Sequence, residues 1–452
     1  MKKTRLITNR IVCLILVSFA CASLAVAQDL TPKFEEYMNG LMKQGKFSGS
    51  VLIARDGAVL FSKGYGMANL ELDVLNTPET KFRLGSITKQ FTATAILLLQ
   101  ERGKLSVQDP LCKYITDCPA AWSEVTIHHL LSHTGGIPNF TNFADYQKMM
   151  MISTTVENLI ARFKDKPLDF KPGEKWDYSN SGYVLLGYII EKASGMSYEE
   201  FLRKNIFDPL KMMNSGYDHH ATILKNRATG YEPRGNKVLN ASYIDMTIPH
   251  GAGALYSTVG DLLLWDQALY GEKLLSKKSL DSMFTPVKDN YGYGWFINKQ
   301  FNRSHIGHDG GINGFNTSIS RYPEQKLTVV VLTNLAGSNP QRVAHDFAAI
   351  AFGETYEIPH ERTAIKVDSK ILDTYTGKYE LTPQTILTIT NDDGRLMLQA
   401  SGQGKIELFA ESEIKFFLKV VDAQITFVKD DKGAVNQLVF HQGRDLIAKR
   451  TP

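Results

Sequence analysis

Cysteine is scarce in this chain of 452 residues. There are four, and two of them, Cys13 and Cys21, fall in the first 21 positions. The remaining pair, Cys112 and Cys118, has no histidine at ligand spacing, so a zinc or iron–sulfur site is poorly supported. Charge of one sign is also lacking. The chain has 51 basic and 47 acidic residues, a formal net charge of +4. The excess sits at the start, where Lys2, Lys3, Arg5 and Arg10 precede the first acidic residue. Taking those four away leaves 47 against 47, so nothing argues for nucleic acid or an acidic membrane surface as partner. Repeats and low-complexity blocks are absent. A hydrophobic content of 43% excludes bulk disorder. The one long apolar run, Ile11 to Ala20, is too short to span a bilayer comfortably.

That run follows the basic start and precedes Ala25-Val26-Ala27, a small-x-small pattern. The order predicts a secretory signal over residues 1–27, a periplasmic or secreted product, and no stable membrane span after cleavage. A lipid anchor at Cys21 is the weaker reading, because Ser18-Phe19-Ala20 matches a lipoprotein signal poorly. Export also makes Cys112 and Cys118 a plausible disulfide closing a small loop.

The length calls for two folded units. Thr31 to Lys43 reads as a helix, and Gly49 to Ile53 and Ala58 to Tyr65 as strands joined at Asp56-Gly57. Phe91 to Gln100 continues a helix that starts near Ser86. Helical spacing recurs at Thr126 to Ser132, Gly182 to Ala193, Ser197 to Ile206 and Thr258 to Leu269. Strands return at Tyr293 to Ile297, Gly314 to Tyr322 and Leu327 to Leu332, followed by a helix from about Gln341 to Phe352. A sheet built from both ends of this segment, with helices inserted in its middle, is the expected α/β unit over 28–357. Beyond it only strand-like runs remain, including Ile386 to Ile389, Leu396 to Gln399, Ile414 to Val420, Ala423 to Val428 and Ala434 to Phe440. They predict a small all-β domain over 367–452.

Three short patterns carry chemistry. The first is Ser86-Ile87-Thr88-Lys89. A serine hydroxyl needs a base before it attacks, and i, i+3 on a helix puts a lysine beside it. That lysine acts as a base only if its surroundings lower its pKa. The same spacing at Ser412-Glu413-Ile414-Lys415 is read as chance, since i and i+3 do not share a face beside a strand. The second is Tyr178-Ser179-Asn180, where the phenol and the amide of an extended loop point the same way. Tyr178 would shuttle protons and Asn180 would orient a substrate amide or the lysine. Taken alone, the simpler reading is a helix cap by Ser179 or Asn180. The third is His308-Asp309-Gly310-Gly311, on an expected strand. Its glycines permit close backbone approach. The Gly311 amide would join that of Ser86 as an oxyanion donor, and His308 would hold a substrate carboxylate or help proton transfer. The plain alternative is a glycine-rich hairpin with a surface histidine.

In order and spread these patterns resemble the serine β-lactamases and low-molecular-mass penicillin-binding proteins, in particular the branch of class C enzymes, D-alanyl-D-alanine carboxypeptidases and related esterases. Ser86 and Lys89 match the Ser-x-x-Lys element, Tyr178 and Asn180 the Tyr-x-Asn element, and His308 and Gly310 a His-x-Gly element that is Lys-Thr-Gly in lactamases. The stretches Leu130 to Gly136 and Gly251 to Thr258 look similar too, and the likeness runs from Phe34 to Phe352. It implies a β-lactamase/transpeptidase-like fold (antiparallel sheet beside a helical region), an acyl-enzyme on Ser86, and no cofactor or metal. It also makes Asn180, His308, Gly310 and Gly311 substrate contacts. Histidine at 308 favours a D-amino-acid peptidase or an esterase over a β-lactamase. A non-catalytic scaffold is disfavoured because Ser86, Lys89, Tyr178 and His308 are all present. His133, in Ser132-His133-Thr134-Gly135-Gly136, is read as shaping a cleft wall. Tyr375-x-Gly377-x-Tyr379 resembles the opening of the small lipocalin-like domains appended to such hydrolases.

Overall fold

A computed structural model describes residues 29–235, 237–360, 362–421, 423–441 and 445–451. The expected signal segment, residues 1–27, lies outside them. Among the described residues no helix is long and apolar enough to cross a membrane.

Six strands form the main sheet. They are β1 (Gly49–Arg55), β2 (Ala58–Tyr65), β3 (Phe296–Gln300), β4 (Arg303–Ile312), β5 (Phe315–Tyr322) and β6 (Leu327–Thr333). Their order is β3-β4-β5-β6-β1-β2, antiparallel throughout. The first strand therefore pairs with the last, with Gly49 opposite Thr333. The chain between them supplies the other four strands and, between β2 and β3, the helical insert.

Strand chemistry explains why β1 and β6 lie at the centre. Successive side chains alternate between faces, and β6, Leu327-Thr-Val-Val-Val-Leu-Thr333, is buried at every position. Val51, Ile53, Val329 and Val331 pack on one side with Phe34 and Phe347. These two phenylalanines come from helices α1 (Thr31–Lys43) and α5 (Pro340–Phe352). Leu52, Val330 and Leu332 face the other side, toward the helical insert. That insert contains α2 (Thr88–Glu101), α3 (Asn180–Ser194) and α4 (Val259–Ala268). Every residue of α2 from Thr88 to Leu99 is buried, so it runs through the core rather than along the surface.

Two local expectations needed correction. The strand expected at Tyr293–Ile297 begins at Phe296 instead, because Tyr293 is a buried aromatic in the preceding turn. The helix expected over Ser197–Ile206 is α-helical only from Tyr198 to Leu202 and widens into a π-type turn over Arg203–Phe207. Cys112 and Cys118 are disulfide-bonded, with Cα atoms 5.2 Å apart.

Beyond the linker, a helix over Ser369–Tyr375 leads into eight antiparallel strands, β7 (Gly377–Thr382) to β14 (Asp445–Thr451). They close into a barrel through β7 and β14, with Lys378 opposite Thr451. Tyr375 stacks on Phe427 at 4.2 Å, and the Tyr379 hydroxyl donates to the Tyr375 carbonyl. Leu387, Ile389, Leu398, Ile425 and Leu438 fill the same core.

A buried ion pair ties the insert to the sheet. Arg321 of β5 and Asp266 of α4 are 2% and 0% exposed at the side chain and 2.7 Å apart. Thr328 of β6 donates to the second Asp266 oxygen at 2.5 Å. Removing one member of such a pair strands a charge in the core. Asp266→Ala should therefore lower the unfolding free energy of this unit by about 3–5 kcal/mol. All four tryptophans (Trp122, Trp176, Trp265, Trp295) lie in the unit built on the six-stranded sheet, so denaturant unfolding followed by tryptophan fluorescence reads it selectively. A loss below about 1 kcal/mol would contradict the assignment.

Candidate active site

Ser86 lies in a single 3₁₀ turn, Gly85–Ile87, that runs directly into α2. The turn is held against β4 by two glycines. Gly85 has φ +55°, and a Cβ there would come within 2.8–3.0 Å of the Gly311 backbone. A Cβ on Gly310 would sit 1.9 Å from the Leu84 carbonyl oxygen, to which Thr317 of β5 donates at 2.7 Å. A Cβ on Gly311 would meet only the Asn316 amide at 3.7 Å. Gly310 thus serves close packing of the strand on the Ser86 turn, while the backbone of Gly311 adjoins that turn.

Lys89 follows one helical turn later and is fully buried. Its Nζ lies 3.0 Å from Ser86 Oγ, 2.9 Å from Asn180 Oδ1 and 2.9 Å from the Ala252 carbonyl. The rings of Tyr178 and Tyr183 stand 4.8 and 5.4 Å from it. None of these groups is a carboxylate. Burial holds the Lys89 ammonium well below the ordinary lysine value. A neutral amine has two N–H groups and one lone pair. Asn180 Oδ1 and the Ala252 carbonyl can only accept, so they take the two protons and the lone pair is left facing Ser86.

Asn180 is itself fixed. It is the first residue of α3, its Nδ2 donates to Thr141 Oγ1, and Thr141 Oγ1 donates to Asn139 Oδ1. Asn139 Oδ1 also accepts the Asn180 backbone N–H. The cap expected from Ser179 or Asn180 is therefore not made. Ser179 precedes the helix, but its hydroxyl donates to the Ile137 carbonyl, and Asn139 from another segment takes the helix-end N–H.

The Tyr178 phenol is a neighbour of Ser86, and burial pushes its pKa above the ordinary tyrosine value. His308 is 4% exposed. Its Nδ1 lies 2.6 Å from the Asp309 carbonyl and must donate there, so its Nε2 accepts from the Tyr291 hydroxyl at 3.1 Å. Burial, more than any neighbouring group, lowers its pKa to about 3. His308 is a neutral ring with both nitrogens engaged.

A cavity of about 130 Å³ opens onto Ser86, Asn180 and Gly311. Its other walls include Phe140, Thr141, Tyr146, Ile244, Ile312 and Asn313. Among the described residues no lysine, arginine or histidine is in its lining; His308 and Gly310 are not part of it. Sequence reasoning missed Ala252, Thr141 and Tyr291. Ala252 stood in a stretch noted for its likeness to the family, yet a carbonyl's role has no residue signature. Ser412 and Lys415 form no site. The Ser412 hydroxyl accepts the Lys415 backbone N–H, and Lys415 Nζ pairs with Glu357 at 3.3 Å.

This fold and cleft define a serine hydrolase of the β-lactamase and penicillin-binding-protein kind. The β-lactamase family model matches residues 34–353, and the chain belongs to that family. A domain family of unknown function, DUF3471, matches residues 361–450, the barrel. Among relatives, penicillin-binding protein 4* of Bacillus subtilis is 33% identical over 443 residues, covering 91% of this chain and 96% of its own. The teichoic acid D-alanine hydrolase of Staphylococcus aureus is 27% identical over 321 residues, covering 70% and 77%. The octameric penicillin-binding protein homologue of Pyrococcus abyssi superposes with a TM-score of 0.68 at 30% identity, covering 93% of this chain and all of that one.

The two glycines give a sharp contrast. Gly310→Ala should slow fluorophosphonate labelling of Ser86 by about tenfold or more, since its Cβ meets backbone, whereas Gly311→Ala should stay within about threefold. Equal losses in the two variants would show that the role assigned to each position is wrong.

Proposed function

We propose that this protein is an exported hydrolase that cleaves a D-aminoacyl ester or amide through an acyl-enzyme on Ser86. In this reading neutral Lys89 takes the Ser86 proton through its lone pair, and Ser86 Oγ attacks the acyl carbon. The amides of Ser86 and Gly311 hold the oxyanion. Tyr178, kept protonated by burial, hands its proton to the leaving group and regains one from the Lys89 ammonium, so both groups end neutral. Asn180 fixes Lys89 and faces the acyl chain. His308 supports the strand from behind, through Tyr291, rather than pairing with substrate, and Gly310 lets that strand close on Ser86. Water then releases the acid.

One observation carries the choice of substrate. The cavity wall holds no cation, and the nearby histidine is neutral. A peptide ending in a free carboxylate, or a β-lactam with its own carboxylate, would bring an unpaired charge into such a site. An ester or amide at that end of the substrate brings no carboxylate that needs a cation. The name of the staphylococcal relative, a D-alanine hydrolase, supports the D-aminoacyl class. The N-terminal pattern and the disulfide support an oxidising compartment outside the cytoplasm.

The test is side-by-side turnover of a D-alanine nitrophenyl ester, D-alaninamide, a D-Ala-D-Ala peptide and a chromogenic cephalosporin, with Ser86→Ala as control. The ester and amide should exceed the two carboxylate substrates in kcat/KM by about tenfold or more, and Ser86→Ala should remove all turnover. Faster cephalosporin or dipeptide cleavage would overturn the substrate class.

The pH profile follows from the same site. The active form has neutral Lys89, whose folded pKa is depressed. Activity is therefore present above that pKa and lost as pH falls through it. A kcat/KM that fell as pH rose from 5 toward 8 would contradict Lys89 as base.

A further inference from the structure

His133 is 2% exposed and has φ +57°, a left-handed conformation that a residue with a Cβ adopts at a cost. What the chain gains there is a clamp. The His133 carbonyl accepts the backbone N–H of Asp177 at 2.9 Å, and its Nδ1 accepts the backbone N–H of Ser179 at 3.2 Å. These are the two residues that flank Tyr178. The imidazole also lies against the Tyr178 ring itself, with centroids 4.3 Å apart. One residue thus holds the tyrosine from the chain on both sides and from its face.

The tautomer is fixed by the same contacts. A backbone N–H donates to Nδ1, so the ring proton resides on Nε2. Nε2 is buried and has no hydrogen-bond partner among the described residues. The rings around the imidazole are Tyr183 at 5.1 Å, Tyr291 at 4.8 Å and Trp176 at 6.1 Å. Tyr291 in turn holds His308. His133 therefore joins the Tyr-x-Asn segment to the strand that carries His308. A histidine kept only to shape a turn would need neither an acceptor at Nδ1 nor a ring against Tyr178.

We propose that His133 is the positioning residue for Tyr178, setting the phenol's distance to Ser86 without touching substrate. This rests on the reading of Tyr178 as part of the proton-transfer machinery.

The test is a double-mutant cycle on the full chain with the D-alanine nitrophenyl ester, using His133→Ala, Tyr178→Phe and the pair, with thermal unfolding recorded for each. His133→Ala should lower kcat by about tenfold or more with KM within about threefold, and should cost little further in the Tyr178→Phe background. His133→Asn retains a side-chain acceptor and tolerates positive φ, so it should recover part of the loss. If His133→Ala does not fold, the same cycle run with His133→Asn decides. Additive losses with Tyr178→Phe, or an unchanged kcat in a folded His133 variant, would overturn the proposal while leaving Ser86 chemistry intact. A wild-type chain whose Ser86 neither labels with fluorophosphonate nor turns over the ester would instead overturn the reading of the site, and this proposal with it.

Discussion

A lysine ammonium out of reach of water, with no carboxylate beside it, loses most of its hydration and gains little back. Lys89 is in that position. Among the described residues its direct partners are a hydroxyl, an amide oxygen and a backbone carbonyl, with two aromatic rings nearby. Dipoles and ring faces soften the desolvation without cancelling it, so the neutral amine is favoured. A carboxylate at the same place would restore the ammonium and remove the base. The neutrality of the surrounding residues is thus a requirement of that chemistry, and it extends to His308, which its own burial keeps uncharged.

The fold supplies the rest by bringing distant segments against one turn. Gly85 and Gly310 let β4 lie on the Ser86 turn, and α2 carries Lys89 into the core one turn further on. The Asn180 end of α3 and the Ala252 turn arrive from the insert, each with an acceptor aimed at Nζ. Thr92 holds the second of these by donating to the Gly251 carbonyl at 2.6 Å, while Asn139 and Thr141 hold the first. A cleft assembled this way is rigid, as acyl transfer requires of its donors and acceptors.

Much of this was legible in the sequence. Central strands such as Leu327–Thr333 announce themselves because both faces are apolar. Ser86 and Lys89 are legible because a helix imposes the spacing, and the chance copy at Ser412 fails because it sits in a turn beside a strand. The backbone contributors were not legible. Any residue can present the carbonyl of Ala252, and the amide of Gly311 is distinguished from that of Gly310 only by which face meets Leu84. His308 was identified but given an outward role, since nothing in His-Asp-Gly-Gly reveals that Tyr291 will cover its Nε2. Some barrel strands, Asp445–Thr451 among them, are not legible because their exposed faces break the apolar pattern.

The central claim is the protonation state of Lys89. Its most direct test is ¹⁵N NMR of protein labelled at lysine Nζ, titrated with pH and assigned by the signal missing in Lys89→Met. The account predicts one resonance that leaves the ammonium range at a lower pH than every other lysine. If the Lys89 resonance instead titrates together with the exposed lysines, the amine is not held neutral by its burial, and another group must take the proton from Ser86.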